Sequence, residues 1–233
     1  MFPALFLLRE GGEMAAGRTA EEFIPTVSEA QMGRDAAFAE LVRDAQRCRT
    51  CPRMEGRRRV LSAANGPLTS RVLFIAEAPG RLGGDTGGVP LTGDASGRNF
   101  TRYLRAAGMR REDVFVTNAA LCNPRTPRGT NAPPSASELR SCAPFLARTL
   151  AIIQPAVVVT LGTKALAALH LLAPHSYTLR EHAATPQTWN GFVLFPLYHP
   201  SPQVVVSPTG RTHAAQEADY CALAHLLDGG GTP

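Results

Sequence analysis

Lysine and long apolar runs are scarce in this 233-residue chain, and each shortage narrows what the protein can be. The apolar runs are far too short to cross a bilayer, so the sequence predicts no membrane-spanning helix. Lys164 is the single lysine, and the G-x-x-x-x-G-K-[ST] motif of nucleotide-binding phosphate loops is absent. The segment Gly93–Gly97 is not the G-x-S-x-G turn of α/β-hydrolases, which disfavours that class of enzyme.

The apolar segment Met1–Leu8 is a poor secretory signal, because it has neither a positive start nor a clear cleavage site. We therefore expect a cytoplasmic, nucleoid-associated protein of bacterial type. The formal net charge is +5 and the pI is near 9.3, which permits nucleic-acid binding without proving it. Seven arginines lie between Arg43 and Arg59, where they form either a phosphate-binding rim or a solvated face.

The stretch Arg71–Gly80 organises the rest of the chain. Its first six residues are mostly apolar and predict a buried strand of a parallel sheet, which Pro79 and Gly80 end. A glycine-rich loop follows, from Arg81 to Gly93. Three later segments repeat the pattern of strand and polar loop: Val114–Asn118, Ala156–Gly162 and Phe192–His199. Ligands of open α/β sheets bind at the carboxyl ends of strands, so we expect these loops to converge on one site.

Hydrophobic periodicity predicts helices between these strands and a single domain. The predicted helices are Asp35–Arg47, Ser96–Ala107, Ser135–Leu150, Thr163–Leu172 and His213–Leu227. Ser135 and Glu138 have the spacing of a capping box at the start of the third helix. We expect residues 1–33 to be a loosely ordered extension, residues 34–228 one α/β domain, and residues 229–233 a short tail. The segment Cys122–Pro134 is too rich in proline and glycine for regular structure.

Four of the five cysteines form the strongest local signal. Cys48 and Cys51 are a CxxC pair, and Cys122 and Cys142 bracket the proline-rich loop. Disulfides are disfavoured without an export signal. The spacing leaves zinc and an iron–sulfur cluster equally open. Cys221, on the last predicted helix, is expected to be a buried and inert thiol.

Five short motifs in a fixed order resemble one known family. They are Glu77-Ala-Pro-Gly80, Thr92-Gly-Asp-Ala-Ser-Gly97, Thr117-Asn-Ala-Ala-Leu-Cys-Asn-Pro124, Glu138-Leu-Arg-Ser-Cys-Ala-Pro-Phe-Leu146 and His199-Pro-Ser201. Together they resemble the iron–sulfur uracil-DNA glycosylases of families 4 and 5. The resemblance implies a three-layer sandwich, with a four-stranded parallel sheet between helices. It also implies a structural 4Fe-4S cluster on Cys48, Cys51, Cys122 and Cys142, a DNA substrate and a monomeric protein.

The resemblance mixes both families and includes departures from each. Glu77–Gly80 and Asn118 are similar to family 4, whereas Thr92–Gly97 and His199–Ser201 are closer to family 5. Leu91 stands where family 4 has an aromatic residue that stacks on the base. Other departures are Leu82, Gly83 and Gly84 at positions where family 4 has acidic residues, and Val204 where family 5 has asparagine. The chain is therefore expected to be a divergent member.

The residue types fit the chemistry that the resemblance implies. A glycosylase must extrude its base, because the N-glycosidic bond is inaccessible inside the duplex. His199 is expected to donate a hydrogen bond to the departing uracil, unless it only packs beside Tyr198 and Pro200. The amide of Asn118 offers a donor and an acceptor for reading the uracil edge, and its alternative role is a turn cap.

A carboxylate near the sugar would stabilise the cation or orient the attacking water. Asp94 and Asp85 are the candidates, and Asp94 is equally suited to cap a helix. Glu77 is less clear, and either faces the cluster or is solvated. The expected base pocket consists of Glu77, Ala78, Pro79, Gly80, Leu91 and Asn118.

Residues after His199 are the expected DNA contacts. Pro202, Gln203 and Val204 would wedge into the duplex as the base leaves, and Arg211 would contact a phosphate. Two functions stay open at this point. One is a glycosylase that removes uracil, with other deaminated bases as a wider range. The other is a non-catalytic iron–sulfur DNA-binding protein with the same fold.

Overall fold

A mixed β-sheet forms the centre of the protein, for which a computed structural model describes residues 27–207 and 211–229. The strands are β1 Val72–Ala76, β2 Phe115–Asn118, β3 Val157–Leu161, β4 Gln187–Trp189 and β5 Phe192–Leu197. Their order across the sheet is β2-β1-β3-β5-β4. The four predicted strands are present and mutually parallel, and β4 pairs antiparallel with β5 at the edge. The expected four-stranded sheet therefore has five strands.

The missed strand has a signal in the sequence. Asn190 and Gly191 join β4 to β5 as a two-residue turn, and both have positive φ, 46° and 80°. An Asn-Gly pair between apolar residues is the strongest short-range indication of a hairpin, because both residues tolerate that backbone conformation. β4 is only three residues long, so it shows no alternation that would reveal it by periodicity.

Eight helices are found in the part of the chain that the structure describes. They are α1 Val27–Arg47, α2 Gly84–Gly87, α3 Ala95–Ala106, α4 Ala136–Ile153, α5 Thr163–Leu172, α6 Leu179–His182, α7 Pro202–Val206 and α8 His213–Asp228. The predicted bounds of α5 are confirmed, and those of α3, α4 and α8 agree within a few residues. None of these helices is long and apolar enough to cross a membrane.

The first helix is longer than predicted. It begins at Val27, whereas periodicity indicated Asp35 and assigned residues up to 33 to an extension. Residues 1–26 and 230–233, which make up the rest of the expected extension and most of the tail, lie outside the described residues. The capping box at α4 is confirmed: the Ser135 hydroxyl accepts the Glu138 N–H, and the Glu138 carboxylate accepts the Ser135 N–H.

Helices cover both faces of the sheet, which confirms the three-layer arrangement. Strand β1 shows why, because its five residues are all buried and alternate between two cores. Leu73 and Ile75 pack toward α1, α4 and α5. Val72, Phe74 and Ala76 pack toward α3 and α8. A strand that is buried on both faces reads as a continuous apolar run, which is how parallel strands of α/β proteins appear in sequence.

Candidate active site

A cleft of about 490 Å³ opens at the carboxyl ends of β1, β2, β3 and β5. The loops that follow these four strands meet there, as the sequence predicted. Most of the residues named as candidates line the cleft: Glu77, Ala78, Pro79, Gly80, Leu91, Asp94, Asn118, His199, Gln203 and Val204. Asp85, Pro202 and Arg211 do not line it.

Asn118 is the last residue of β2 and one of the most deeply buried polar groups of the cleft. Its side chain is 3% exposed. The Nδ2 amide group has no hydrogen-bond partner among the described residues. Buried polar groups are normally paired, since an unmade hydrogen bond in a dry environment is costly. An unpaired amide that lines a cleft is therefore well placed to bind a polar ligand.

His199 follows β5, and its Cβ lies close to Gly162 at the end of β3. The Cβ atom that any other residue would add at Gly162 would lie 3.4 Å from the Cβ of His199. The side chain of Asn99 donates a hydrogen bond to the carbonyl of Pro200, at 2.9 Å. Burial lowers the pKa of His199 to about 4, although the negative charge of Asp94 opposes the shift. The imidazole is therefore neutral at neutral pH and carries one N–H donor.

Asp94 is both a helix cap and a cleft residue, so its role as a cap does not remove it from the cleft. Its Oδ1 accepts the N–H of Gly97, at 2.9 Å, at the start of α3. Its Oδ2 lies against the glycine-rich loop, where a Cβ on Gly80 or Gly83 would approach within 2.5 or 2.6 Å of it. Glycine is required at these positions because the carboxylate occupies the space of a side chain.

Glu77 is a second carboxylate in the cleft. It is half-buried and makes no side-chain hydrogen bond or ion pair with the residues that the structure describes. Burial raises the pKa of Glu77, and the nearby positive charge of Lys164 partly offsets this effect. The sequence left two positions open for Glu77, one facing the cluster and one in solvent. The structure instead places Glu77 in the cleft.

Asp85 does not reach the cleft, in contrast to its prediction as a catalytic candidate. Its side chain is 7% exposed, and Oδ2 pairs with Arg125 at 2.5 Å. Oδ1 accepts the backbone N–H of Arg58, at 3.1 Å. Both oxygens are thus used to join three segments of chain, and Asp85 acts as a tie between loops.

Two asparagines that the sequence did not single out also line the cleft. The Nδ2 of Asn123 donates to the carbonyl of Pro79, at 2.6 Å, and to the Oδ1 of Asn131, at 3.0 Å. Asn131 also accepts the backbone N–H of Arg81, at 2.9 Å. The proline-rich loop therefore holds the glycine-rich loop in place. In the sequence, only its position between Cys122 and Pro124 could have indicated that Asn123 belongs to the site.

The predicted wedge residues lie at the rim of the cleft, on or next to α7. Gln203 and Val204 line the cleft, and Pro202 is the first residue of the helix. Val206 is the most exposed apolar residue there, at 80%. Arg211 lies over the ring of Tyr198, with the guanidinium carbon 5.6 Å from the ring centroid.

The four cysteines lie near one another, on the face of the sheet covered by α1 and α4. Cys48 directly follows α1, and Cys142 lies within α4. Burial raises the pKa of Cys122 to about 12 and that of Cys142 to about 11, and each thiol is close enough to feel the charge of Cys48 and Cys51. Among the described residues, no three His, Cys, Asp or Glu side chains converge on the position of a single metal ion.

Cys221 lies apart from this group, on α8, where its Sγ donates to the carbonyl of Ala106 at 3.4 Å. It is partly exposed, so the expectation of a buried thiol was wrong.

Arginines close the loop that carries the first cysteine pair. Arg59 donates two hydrogen bonds to the carbonyl of Cys48, and Arg49 donates one. Arg53 forms an ion pair with Glu138 of α4. Some arginines between Arg43 and Arg59 therefore hold the fold together. The sequence had suggested only a phosphate-binding rim or a solvated face for them.

The family model of the uracil DNA glycosylase superfamily matches residues 63–220, which contain the whole cleft. This chain belongs to the uracil-DNA glycosylase superfamily. A type-4 uracil-DNA glycosylase of Thermotoga maritima is 33% identical over 157 residues, 67% of this chain and 77% of the relative. A type-4 enzyme of Archaeoglobus fulgidus is 30% identical over 192 residues, 80% of this chain and 92% of the relative.

Type-5 enzymes share about the same sequence identity with this chain as the type-4 enzymes do. A type-5 uracil-DNA glycosylase of Pyrobaculum aerophilum is 31% identical over 159 residues, 63% of this chain and 67% of the relative. The mixed resemblance to families 4 and 5 is thus confirmed. Cys122 and Cys142 lie within the residues matched by the family model, and Cys48 and Cys51 precede them.

Proposed function

We propose that this protein is a DNA repair glycosylase that hydrolyses the N-glycosidic bond of uracil in DNA. The observation that carries the proposal is the buried, unpaired amide of Asn118 in the same cleft as His199 and Asp94. The names of the relatives, type-4 and type-5 uracil-DNA glycosylases, support the same reaction. The base must leave the duplex to enter such a cleft.

Asn118 would recognise the extruded base. Uracil presents a carbonyl oxygen beside an N–H on one edge, and a carboxamide offers the matching donor and acceptor. The Nδ2 group lacks a partner within the protein, so the bound base would satisfy it. A base whose edge leaves this amide unpaired is rejected, because the unmade hydrogen bond is buried.

His199 would stabilise the negative charge on the departing base. As the bond between the sugar C1′ and the uracil nitrogen breaks, the electron pair goes to the base and its oxygens become stronger acceptors. The neutral imidazole donates one hydrogen bond to such an oxygen. Its low pKa means that no proton has to be lost or gained before the reaction at neutral pH.

Asp94 and Glu77 are the two carboxylates that line the cleft, and we propose that they act on the sugar. Either one can offset the positive charge that develops on the sugar and accept the proton of the attacking water. Water then forms the new C1′–O bond, and the base leaves as an anion. Asp94 has one oxygen committed to the α3 cap, and Glu77 has both oxygens available within the described residues.

The four cysteines are proposed to hold a 4Fe-4S cluster. Their chemistry fits, since such clusters are bound by four thiolates and bound iron would offset the cost of ionising buried thiols. The cluster would supply no chemistry to the cleft and would join α1, the proline-rich loop and α4.

The partner implied by this function is DNA that contains uracil or another deaminated base. We further infer that the protein acts as a monomer in the cytoplasm, as the resemblance to the family and the poor match of Met1–Leu8 to a secretory signal led us to expect. The basic pI near 9.3 supports attraction to the phosphate backbone.

The test is incubation with DNA oligonucleotides that contain one uracil, followed by alkaline cleavage of the abasic product. Matched oligonucleotides with hypoxanthine, xanthine or thymine define the base range. Wild-type protein should release uracil, and Asn118→Ala should lose both rate and discrimination between uracil and cytosine, because cytosine lacks the carbonyl and the N–H that the amide would read. Protein that binds the DNA but releases none of these bases would instead support the non-catalytic binding protein.

A further inference from the structure

We propose that Tyr198 stacks on the extruded base and that Arg211 and Asp219 are positioning residues that hold its ring. The inference deepens the proposed function and rests on it. Tyr198 lines the cleft directly beside His199. Among the residues that line the described cleft, it is the only phenylalanine, tyrosine or tryptophan.

A stacking residue is needed because edge contacts alone do not hold a base. Hydrogen bonds from an amide such as Asn118 fix a base within its own plane and leave its tilt free. Contact with a ring face removes that freedom, and every base offers a π-face for it. Leu91, the large apolar residue of the expected base pocket, has no aromatic ring.

Arg211 restricts the orientation of the Tyr198 ring. Its guanidinium carbon lies 5.6 Å from the ring centroid, within the range of a cation–π contact. The guanidinium covers one face of the ring, so only the opposite face and the edges are left for a ligand. A ring that is held before binding loses less rotamer freedom when a base arrives.

Asp219 and Gln216 hold Arg211 in turn. An Nη atom of Arg211 lies 3.4 Å from the Oδ1 of Asp219, whose side chain is 8% exposed. The Nε2 of Gln216 donates to the backbone carbonyl of Arg211, at 3.1 Å. Both partners lie on α8, which is anchored by its own buried face. Arg211 is thus fixed at its backbone and at its guanidinium, which favours positioning over the phosphate contact expected from the sequence.

The experiment compares two DNA duplexes and needs no turnover. One contains 2′-fluoro-deoxyuridine, whose glycosidic bond resists cleavage, and the other contains a tetrahydrofuran abasic analogue at the same position. Tyr198→Ala should weaken binding of the uracil duplex by on the order of 10-fold, the scale of one base–ring stack. Binding of the abasic duplex should not change. Tyr198→Phe should restore wild-type affinity, because it keeps the ring.

Variants of Arg211 distinguish the two possible roles. Arg211→Lys keeps a positive charge for Asp219 or for a phosphate, and loses the planar group that covers the ring. A positioning role predicts weaker binding of the uracil duplex alone, and no further loss when Arg211→Lys is added to Tyr198→Ala. A phosphate role predicts that Arg211→Gln weakens both duplexes equally and flattens the salt dependence by about 0.9.

Three results would overturn the proposal. They are equal affinity of Tyr198→Ala and wild type for the uracil duplex, equal losses on both duplexes, and a wild-type protein that does not distinguish them. Thermal unfolding identifies a variant that fails to fold, and Tyr198→Leu then replaces Tyr198→Ala, since it fills the space without a ring. Failure of the proposed function is seen separately, as absent uracil release with base-dependent binding retained.

Discussion

The cleft and the cysteine region (Cys48, Cys51, Cys122 and Cys142) are joined by the proline-rich loop. The proline-rich segment begins at Cys122 and then places Asn123 and Asn131 in the cleft. Both regions contain buried groups that ionise or hydrogen-bond. They differ in what keeps those groups in place when nothing is bound.

The cleft is held by the chain itself. Asp94 is fixed by the cap of α3, and Asp85 is tied to Arg125. His199 is packed against Gly162, and Asn123 bonds to Pro79. These contacts are complete without a ligand, so the cleft is preorganised, and preorganised donors are the ones that stabilise developing charge efficiently.

In the cysteine region, hydrogen bonds from Arg59 and Arg49 to the carbonyl of Cys48 hold the backbone of the loop, and the thiols are a separate matter. Burial raises the pKa of Cys122 and Cys142 far above neutrality, so neutral thiols are favoured there without a metal. Bound iron would reverse that preference and join three separate segments of chain, which couples metal binding to folding. The comparison teaches that the chain alone sets the geometry of the cleft, whereas the geometry of the four thiols would depend on the proposed cluster.

The largest predicted effect follows from this dependence. Alanine at Cys48, Cys51, Cys122 or Cys142 should abolish the broad thiolate-to-iron absorbance and lower the free energy of unfolding by an amount comparable to the total, about 5–15 kcal/mol. Iron analysis, visible absorbance and thermal unfolding measure it.

Cys221→Ala is the matched control and should remain coloured and folded, because its thiol only contacts a carbonyl of α3. A colourless wild-type protein that holds one zinc per chain would contradict the iron–sulfur cluster.

His199→Ala should have the largest effect on catalysis and should leave the cysteine region unchanged. Removal of one donor to a developing anion slows the bond-breaking step on the order of 10²–10³-fold. Affinity for DNA should barely change, because phosphate contacts dominate it. Single-turnover release of uracil measures the rate, and visible absorbance reports on the cluster. A variant with wild-type rate would show that His199 only packs beside Pro200.

Loss of the ion pair between Asp85 and Arg125 should lower the stability of the protein more than the rate of uracil release. Asp85→Asn leaves Arg125 without its carboxylate, and loss of one partner of a partly exposed pair should destabilise the protein by about 1–3 kcal/mol. Uracil release should fall less than 10-fold at a temperature where the variant is folded. If Asp85 oriented the attacking water, the rate would instead fall as far as in His199→Ala, which is the comparison to make.

The smallest expected effect is on pH dependence. The pKa of His199 falls from 6.5 to about 4 on folding, so the unfolded chain binds its proton more readily. The corresponding stability is complete above pH 6.5 and is lost as the pH falls toward 4. Uracil release should therefore show no inflection near pH 6.5. Thermal unfolding of wild type between pH 7 and 4 should show a steeper loss than that of His199→Gln, and equal slopes would contradict the buried neutral imidazole.

Sequence patterns predicted much of this protein because they act over short distances. The strand β1 was visible as an apolar run, and α5 was predicted at its observed bounds. The Ser135–Glu138 capping box needed only the spacing of two residues. The ordered motifs carried the resemblance to the family. Convergence of their loops was predictable as well, because parallel strands bring their carboxyl ends to one edge of the sheet whatever lies between them.

The misses show where such patterns stop. Asp85 and Asp94 are both acidic residues of one loop, and no local feature indicates that only Asp94 faces the cleft. The choice depends on Arg125, 40 positions further along the chain, which pairs with Asp85. Periodicity also missed β4 and the first turns of α1, because a short edge strand and a helix end have too few buried positions to form a pattern.

The sequence by itself determined the layers of the fold, the residue types of the cleft and the number of thiols available for a metal. Only the tertiary structure decided which groups are unpaired, as for the Nδ2 of Asn118, and which are already engaged, as for Asp85. It alone brought Arg211 onto the ring of Tyr198. The physical reason is that hydrogen bonding and desolvation depend on the atoms within a few ångströms, and folding draws those atoms from distant parts of the chain.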